Sequence, residues 1–247
     1  MRFRPVQWFD SLPSTNDYLR NAVERGVKPS VSGVVVAARR QTGGRGREQR
    51  PWIMRSGRDL AFSFHMAARI DPIGAPSAAM ATALGVCEAL ERFGVNARVK
   101  WPNDVRTPDG RKICGILAQS LSRNSPEFVR LVIGVGINVN SGEADLADVG
   151  QPAASVLTET GREYALEAVL EEVLGVLAPR LTAWEEGGFA GLRRDWLQRC
   201  DDIGRVRPAP AASGSVDARI EDFGAHGELL LRGPGDERYT AYLPESP

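Results

Sequence analysis

A basic, glycine-rich stretch at residues 41–52 contains the groups in this chain that are best suited to chemistry. Seven arginines and a single acid, Glu48, fall between positions 39 and 58. Arginine forks bind phosphate or carboxylate through paired hydrogen bonds, glycines let backbone N–H groups approach an oxyanion, and the Trp52 indole offers a flat face to a ring. The stretch therefore predicts an anion-binding loop, although a solvated basic surface loop has the same composition.

A second polar motif begins at Lys100, in the run Lys-Trp-Pro-Asn-Asp. Asn103 and Asp104 commonly occupy turns. The same side chains also suit a phosphate and Mg²⁺ site, because triphosphates and hard cations favour point charges and oxygen ligands. Both interpretations stay open for this motif taken alone. Lysine is rare in the chain, and its three positions are Lys28, Lys100 and Lys112.

Three shorter motifs also contain groups that could contact a ligand. Lys112 stands before an apolar strand pattern in which Gly115 leaves room for close approach. Gly134 precedes Asn138, whose amide could pair with the edge of a base. Residues 14–16, Ser-Thr-Asn, are first of all helix caps, and a hydroxyl not used in capping could face a ligand at the positive helix end.

The elements that must position these motifs are predicted mainly as strands. A β-branched run at 33–38 predicts a buried strand that leads into the arginine-rich loop, and alternation at 60–66 predicts a strand that leaves it. Periodicity and turn signals predict further strands at 6–10, 97–101 and 129–135, a hairpin of 105–107 with 112–119, and helices at 14–25, 76–93 and within 163–199. After residue 201, a loop at 208–214 and three or four short strands predict a small β-barrel.

The composition limits the classes of protein to which the chain can belong. At 247 residues the chain suits one large domain with a small appendage, and its 31 Lys and Arg balance its 31 Asp and Glu, which argues against a general attraction for nucleic acid or membranes. Three cysteines and two histidines in no ligand-like spacing argue against disulfides and a His/Cys metal site, as expected for a cytoplasmic protein. No signal segment and no membrane span of ~18 apolar residues is predicted.

Taken in order, the motifs resemble those of the biotin protein ligases. The resemblance is carried by Ser-Thr-Asn at 14–16, Gln-Thr-x-Gly-Arg-Gly-Arg-x-x-Arg-x-Trp at 41–52, Lys-Trp-Pro-Asn-Asp at 100–104, Lys-x-x-Gly-Ile-Leu at 112–117 and Gly-x-Gly-Ile-Asn at 134–138. It implies an α+β fold, in which a mixed β-sheet with flanking helices forms a biotin- and ATP-binding catalytic domain at 1–200. A small SH3-like β-barrel is implied at 201–247.

The resemblance also implies an activity and its partners. ATP and biotin would be substrates, with Mg²⁺, and biotinyl-5′-AMP would form before biotin is transferred to a lysine of a biotin carboxyl carrier domain of acetyl-CoA or a related carboxylase. A membrane partner is not expected, and a homodimer is compatible with the family. Some relatives carry a DNA-binding helix-turn-helix before the catalytic domain, but Ser14 follows Met1 so closely that we expect the form without it, and no DNA partner.

The resemblance also implies roles for individual residues. Catalysis is expected of Lys112, Arg45 and Arg47. Biotin binding is expected of Ser14, Thr15, Asn16, Gln41, Gly44, Arg45, Lys112, Gly115 and Gly134. ATP binding is expected of Arg47, Arg50, Trp52, Lys100, Asn103, Asp104 and Asn138, with Asp104 also contacting Mg²⁺.

Three positions depart from the family pattern, and two other functions compete with this one. Gly43 stands where alanine is common, Glu48 places an acid in the basic loop, and Gln119 stands where glutamate is frequent. A lipoate ligase or octanoyltransferase of the same fold is the nearest alternative, and the arginine-rich loop and the Lys112 motif favour biotin over it. A nucleic-acid-binding surface is a further alternative, which the balanced net charge disfavours.

Overall fold

A seven-stranded mixed sheet forms the centre of the fold in the computed structural model, which describes residues 1–26, 32–121, 128–211 and 214–243. Lys28 lies outside these described residues. The strands in chain order are Gln7–Phe9 (β1), Val35–Ala38 (β2), Leu60–Ala68 (β3), Arg98–Lys100 (β4), Asp104–Arg106 (β5), Lys112–Ser120 (β6) and Val129–Ile137 (β7). Their spatial order is β1-β2-β3-β7-β6-β5-β4; β1 and β2 are parallel and the other neighbours are antiparallel.

Helices cover both faces of this sheet, so its central strands are buried on both sides. The helices are Thr15–Glu24 (α1), Ala78–Arg92 (α2), Glu143–Ala147 (α3), Val156–Thr160 (α4), Leu166–Gly187 (α5) and Arg193–Arg199 (α6). Val35 packs in the large core with α2 and α5, whereas Val36 packs in a smaller core with Leu19 of α1, because successive strand residues point to opposite faces. On β3 this double cover also buries two polar residues, Ser63 and His65.

The segment Pro72–Arg92, a 3₁₀ turn followed by α2, is long and apolar enough to cross a membrane by length and composition alone. In this fold 83% of its apolar window is buried. Gly85 shows how closely α2 meets α5, since a Cβ atom there would lie 2.6 Å from Cδ2 of Leu177. The apolar surface of the segment is therefore used as protein core.

The C-terminal residues form a second, four-stranded antiparallel sheet. Its strands are Val206–Ala211 (β8), Gly214–Phe223 (β9), Leu229–Arg232 (β10) and Arg238–Ala241 (β11), in the order β11-β10-β9-β8. β11 also approaches β8, so the sheet curls into a small barrel-like unit. The predicted loop at 208–214 is wrong for its first half, because Pro208 and Pro210 lie in β8; proline is tolerated there since β8 pairs with one neighbour only.

Buried polar and aromatic contacts join the small sheet to the large one. Asp202 accepts hydrogen bonds from the Trp101 backbone N–H at 2.7 Å and from Nη2 of Arg106 at 2.9 Å, and both members of the Arg106–Asp202 ion pair are buried. Nε1 of Trp101 donates to the Gly227 carbonyl at 2.8 Å. The ring of Phe223 packs 6.0 Å from that of Trp196. The two sheets consequently share one continuous core.

Candidate active site

A single large cavity of about 1000 Å³ brings most of the predicted site residues together. Its walls come from the N-terminus of α1, the arginine-rich loop, strands β6 and β7, the turn between β4 and β5, and the first residues of β8. Predicted residues on its lining are Ser14, Thr15, Asn16, Gln41, Arg45, Arg47, Arg50, Trp52, Lys100, Asn103, Asp104, Lys112, Gly115 and Gly134. Motifs separated by more than 100 positions in the sequence therefore meet around one space.

The arginine-rich loop is folded as an irregular hairpin over the cavity. The Gly46 N–H donates to the Arg50 carbonyl at 2.8 Å, and the Trp52 N–H donates to the Gly44 carbonyl at 2.9 Å. Between these bonds, Arg47–Gln49 forms a 3₁₀ turn in which Glu48 has φ 54°. A positive φ in a residue with a side chain is strained, so the tip of the loop holds a conformation that costs free energy.

Trp52 lies across two glycines of neighbouring strands. A Cβ atom on Gly136 would be 2.2 Å from Cε2 of the indole, and a Cβ on Gly115 would be 3.1 Å from Cζ3. The interior strand glycines thus make room for the indole of the chain itself. Nε1 of Trp52 is buried and has no hydrogen-bond partner among the described residues.

Lys112 stands at the start of β6 and forms an ion pair inside the cavity. Its Nζ lies 2.6 Å from Oδ1 of Asp104 and 5.8 Å from the ring centroid of Trp52. The Lys112 N–H donates to the Pro152 carbonyl at 2.9 Å, which fixes the backbone from which the side chain projects. A half-buried ammonium of this kind suits an anionic oxygen that is brought next to it.

The arginines of the loop each contact a different partner. Nη1 of Arg47 donates to Oδ1 of Asn103 at 3.3 Å, and burial lowers the pKa of the Arg47 guanidinium from its usual value. Arg45 pairs with Asp17 of α1. Arg50 is exposed and pairs with Glu48 at 2.6 Å, so the acid that departs from the family pattern neutralises a neighbouring arginine.

The base of the loop is anchored by a buried carboxylate that the sequence analysis missed. Asp59 accepts hydrogen bonds from the Arg55 N–H at 2.8 Å, the Val139 N–H at 3.0 Å and the Ser141 hydroxyl at 2.7 Å. Burial raises the pKa of this carboxyl, and the three bonds oppose that effect. Asp59 therefore ties the end of the loop to the segment that follows β7.

The N-terminus of α1 supplies the polar end of the cavity. Ser14 caps the helix by accepting from the Asp17 N–H at 3.3 Å, as predicted for this motif. The Thr15 N–H donates to Oε1 of Gln41 at 2.8 Å. Gly44 lies next to the side-chain amide of Gln41. A larger residue would clash there, because a Cβ on residue 44 would lie 2.9 Å from Nε2 of Gln41.

Asn16 and Gly134, both predicted at the biotin site, contact each other. The Asn16 amide lies where a Cβ on Gly134 would be, 2.4 Å from Oδ1. Its Nδ2 donates to Oε1 of Gln119 at 3.0 Å, and its Oδ1 accepts from the Ser63 hydroxyl at 2.7 Å. Sequence reasoning assigned no role to Ser63; the available signal was a serine between two phenylalanines in a mainly apolar strand.

Asn138 lies at the end of the predicted ATP-binding motif but is absent from the cavity lining. Its Nδ2 donates to the Ala154 carbonyl at 2.9 Å and the Lys112 carbonyl at 3.4 Å. The residue is buried and holds the segment after α3 against the start of β6. In this structure it supports the strand that carries Lys112.

The C-terminal sheet contributes residues to the cavity that the sequence analysis did not assign. Arg207 on β8 lines the cavity, with its guanidinium 4.6 Å from the ring centroid of Trp101. Burial lowers the pKa of this arginine. Arg205 and Tyr242 also reach the lining, so the small sheet completes one wall of the site.

Within the residues that the structure describes, no group of three or more His, Cys, Asp or Glu side chains could hold a metal ion by itself. The acids on the cavity lining are each paired: Glu48 with Arg50, Asp104 with Lys112, and Asp202 with Arg106. A magnesium ion would therefore fit only with oxygen ligands supplied largely by a phosphate-bearing substrate.

Comparison with known proteins identifies the family that this chain matches. Residues 8–138 match the model of the biotin/lipoate A/B protein ligase family. The biotin–acetyl-CoA-carboxylase ligase of Paracoccus denitrificans is 35% identical over 228 residues, which cover 87% of this chain and 90% of that protein. The protein of the same name from Mycobacterium tuberculosis is 28% identical over 208 residues, covering 81% and 74% respectively.

Solved structures show that the fold is shared over nearly the whole length. The biotin protein ligase of Aquifex aeolicus in complex with biotin and ATP has a TM-score of 0.76 to this structure at 24% sequence identity. The match covers 97% of this chain and 96% of that chain. Both sheets therefore belong to one known architecture.

Proposed function

This chain belongs to the biotin/lipoate A/B protein ligase family, and from that premise we propose that it is a biotin protein ligase. It activates biotin with ATP as biotinyl-5′-AMP and transfers the biotinyl group to a lysine of a biotin carboxyl carrier domain. One observation carries the proposal: a single cavity has hydrogen-bonding groups of Thr15 and Gln41 at one end and the cations of Arg47, Lys100 and Lys112 along its other walls.

The two steps follow from the charges of the reactants. A carboxylate oxygen of biotin attacks the α-phosphorus of ATP, the bond to the β-phosphate oxygen breaks, and pyrophosphate leaves. The ε-amine of the carrier lysine then attacks the acyl carbon, AMP leaves, and an amide forms with loss of a proton. Because both reactants of the first step are anions, the site must place positive charge where negative charge accumulates.

We assign Lys112 to the biotin carboxylate and the acyl oxygen, since its ammonium lies on the cavity lining beside Asp104. Arg45 and Arg47 contribute positive charge from the loop, and binding replaces their present partners with substrate oxygens. Positioning and electrostatics supply the catalysis, so no acid or base of the protein is needed.

The biotin and ATP ends of the cavity share the remaining residues. Biotin contacts are assigned to Ser14, Thr15, Gln41, Gly44, Gly115 and Gly134, with Asn16 beneath them. ATP contacts are assigned to Arg50, Trp52, Lys100, Asn103 and Asp104, and Asn138 supports the strand that carries Lys112. Asp104 would be the protein contact for a Mg²⁺ ion brought by ATP, and the ion would neutralise charge on the triphosphate.

Transfer to a carrier domain sets the partner and the compartment. The acceptor is the biotin carboxyl carrier domain of acetyl-CoA or a related carboxylase, and we place the protein in the cytoplasm. The three buried, unpaired cysteines are compatible with that reducing compartment.

The test is transfer of biotin to a carrier domain, detected by an avidin blot and by the increase in the mass of the carrier, which also reveals lipoate. The chain is mixed with biotin, Mg-ATP and a purified carrier domain, with parallel reactions that lack ATP or contain lipoate in place of biotin. Labelling that needs both biotin and ATP is expected. Labelling of the carrier by lipoate and not by biotin would assign the chain to the other branch of the family.

A further inference from the structure

Arg207 is a cation of the cavity wall that has no acidic partner. It lies on β8 of the C-terminal sheet, and its guanidinium packs 4.6 Å from the ring centroid of Trp101. Its Nε is buried without a hydrogen-bond partner, and its side chain forms no ion pair within the part of the chain that the structure covers. The charge of Arg207 is therefore held beside the cavity by an aromatic ring and not by a carboxylate.

Asp202, a buried acid on the same cavity lining, does not neutralise Arg207. Its Oδ1 accepts from Nη2 of Arg106 at 2.9 Å, and its Oδ2 accepts from the Trp101 N–H at 2.7 Å. Burial lowers the pKa of Arg207, and the charge of Asp202 only partly opposes that effect. A half-buried cation in this position costs free energy when the cavity is empty, and a bound anion would offset that cost.

Arg207 lies near Arg47 and near the turn between β4 and β5. Burial lowers the pKa of Arg47, and the positive charges of Arg50 and Arg207 also lower it, so the guanidinium groups of Arg47 and Arg207 are close enough to repel each other. Lys100 directly precedes Trp101, so the ring that supports Arg207 belongs to the same turn as Lys100. Three cations from three separate segments thus line neighbouring parts of the cavity wall.

Most other cations of the cavity lining are already paired. Four of them form ion pairs with acids: Arg45, Arg50, Arg106 and Lys112. The exposed Arg205 donates from its Nε to the Asp201 carbonyl at 2.7 Å. Within the described ranges, the lining cations whose side chains contact neither an acid nor the main chain are Arg47, Lys100 and Arg207. The uncompensated positive charge of the cavity is concentrated on these three residues.

The first step of the proposed reaction releases an anion that these three cations suit. When the carboxylate oxygen of biotin attacks the α-phosphorus, the bond from that phosphorus to the bridging oxygen breaks, and its electron pair leaves with pyrophosphate. Negative charge therefore accumulates on the two phosphates that leave. Guanidinium forks bind phosphate oxygens through paired, charge-assisted hydrogen bonds.

We infer that Arg207, together with Arg47 and Lys100, binds the β- and γ-phosphates of ATP and the pyrophosphate that they become. The inference rests on the proposed function and adds a residue of the C-terminal sheet to its first step. Biotinyl-5′-AMP keeps only the α-phosphate, so Arg207 has no contact to make in the transfer step. Through Arg207, the small sheet acts on the first of the two steps and not on the second.

Arg207→Met tests this inference by removing the charge while keeping an unbranched side chain that can pack on Trp101. Biotin-dependent ATP–pyrophosphate exchange measures the first step, and transfer from chemically prepared biotinyl-5′-AMP to the carrier domain measures the second. We expect the KM for pyrophosphate and the KM for ATP to rise about 10- to 100-fold, because a charge-assisted contact to phosphate is lost. The KM for biotin and the rate of transfer from biotinyl-5′-AMP should stay unchanged.

Two further variants separate a phosphate contact from a structural role. Arg207→Lys keeps a positive charge but not the planar fork, so its KM for pyrophosphate should lie between those of Arg207→Met and the wild type. Arg219→Ala is the matched control. It removes an exposed arginine of the same sheet, whose Nη1 donates to the Gly204 carbonyl at 2.9 Å, and it should leave all of these values unchanged.

An unchanged KM for pyrophosphate in Arg207→Met would overturn the inference alone, provided that the wild-type chain catalyses exchange. An equal loss of exchange and of transfer would also overturn it, since that result would show a general effect on folding. If Arg207→Met does not fold, Arg207→Lys decides, because it must also raise the KM for pyrophosphate without slowing transfer. Absence of biotin-dependent exchange in the wild type would overturn the proposed function, and the inference with it.

Discussion

At the scale of single residues, the ion pair of Lys112 and Asp104 sets the charge on the part of the cavity wall formed by β5 and β6. The two side chains neutralise each other at 2.6 Å while remaining about one-fifth exposed, so water already reaches them. A substrate carboxylate that takes the place of Asp104 would keep Lys112 paired. The lysine can therefore serve substrate without a large desolvation cost.

Replacing Lys112 with alanine should sharply reduce formation of the acyl-adenylate, by about 10²- to 10³-fold, because an electrostatic contact to the reacting carboxylate is lost. The fold should persist, since the backbone of Lys112 keeps its bonds to neighbouring segments. Pyrophosphate exchange measures the first effect and circular dichroism the second. Arg92→Ala, at an exposed pair with Glu172, is the control, and normal exchange by the Lys112 variant would refute its role.

At the scale of elements, the arginine-rich loop connects β2 to β3. Its large side chain, Trp52, packs against the sheet. Trp52 rests on the glycines of β6 and β7, while the tip of the loop is strained at Glu48 and rich in like charges. Few apolar contacts hold that tip, and segments of this kind open locally at low free-energy cost. Binding of an anion would offset the repulsion between the arginines and favour the conformation in which the loop covers the cavity.

Trypsin should therefore cleave the empty protein within residues 45–50 and cleave it several-fold more slowly when biotin and ATP are present. Protection is expected because oxygens of biotin and ATP pair with Arg45, Arg47 and Arg50 and keep the loop folded over the cavity. Mass spectrometry of timed digests locates the cut. ATP with lipoate serves as the comparison, and equal cleavage rates with and without biotin and ATP would rule out closure.

At the scale of the whole molecule, the C-terminal sheet is part of the cavity wall and shares the main core. The buried Arg106–Asp202 pair, the Trp101 contacts and Arg207 on β8 connect the small sheet to the segment that carries Lys100 and Asn103. Separation of the two sheets would remove one wall of the cavity. Substrate binding and the docking of the small sheet are for this reason expected to be coupled.

Asp202→Ala tests how strongly the buried ion pair stabilises the docking of the small sheet. It leaves the buried Arg106 guanidinium unpaired and the Trp101 N–H without its acceptor, so a loss of about 3–5 kcal/mol in the free energy of unfolding is expected. Urea unfolding followed by tryptophan fluorescence measures it. Arg232→Ala, at the surface pair with Glu221, should leave the midpoint almost unchanged. Equal midpoints for both variants would contradict a structural role for the buried pair.

The sequence by itself determined the chemistry and most of the elements. Glycines, arginines and lysines carry local signals, and strand and helix periodicity follow from which faces are buried; these signals placed the loop between two strands, and they indicated the family. The C-terminal barrel was predicted from short strands, but its prolines hid β8, because an edge strand tolerates them and a loop has the same composition.

Only the tertiary structure decided which partners the site residues meet. Trp52 covers the strand glycines, Asn16 is joined to Ser63, and Arg207 reaches the cavity from the other sheet. Each of these contacts joins positions that lie tens of residues apart in the chain. Such contacts depend on sheet order and on how helices cover each face, and no local pattern of residues records either.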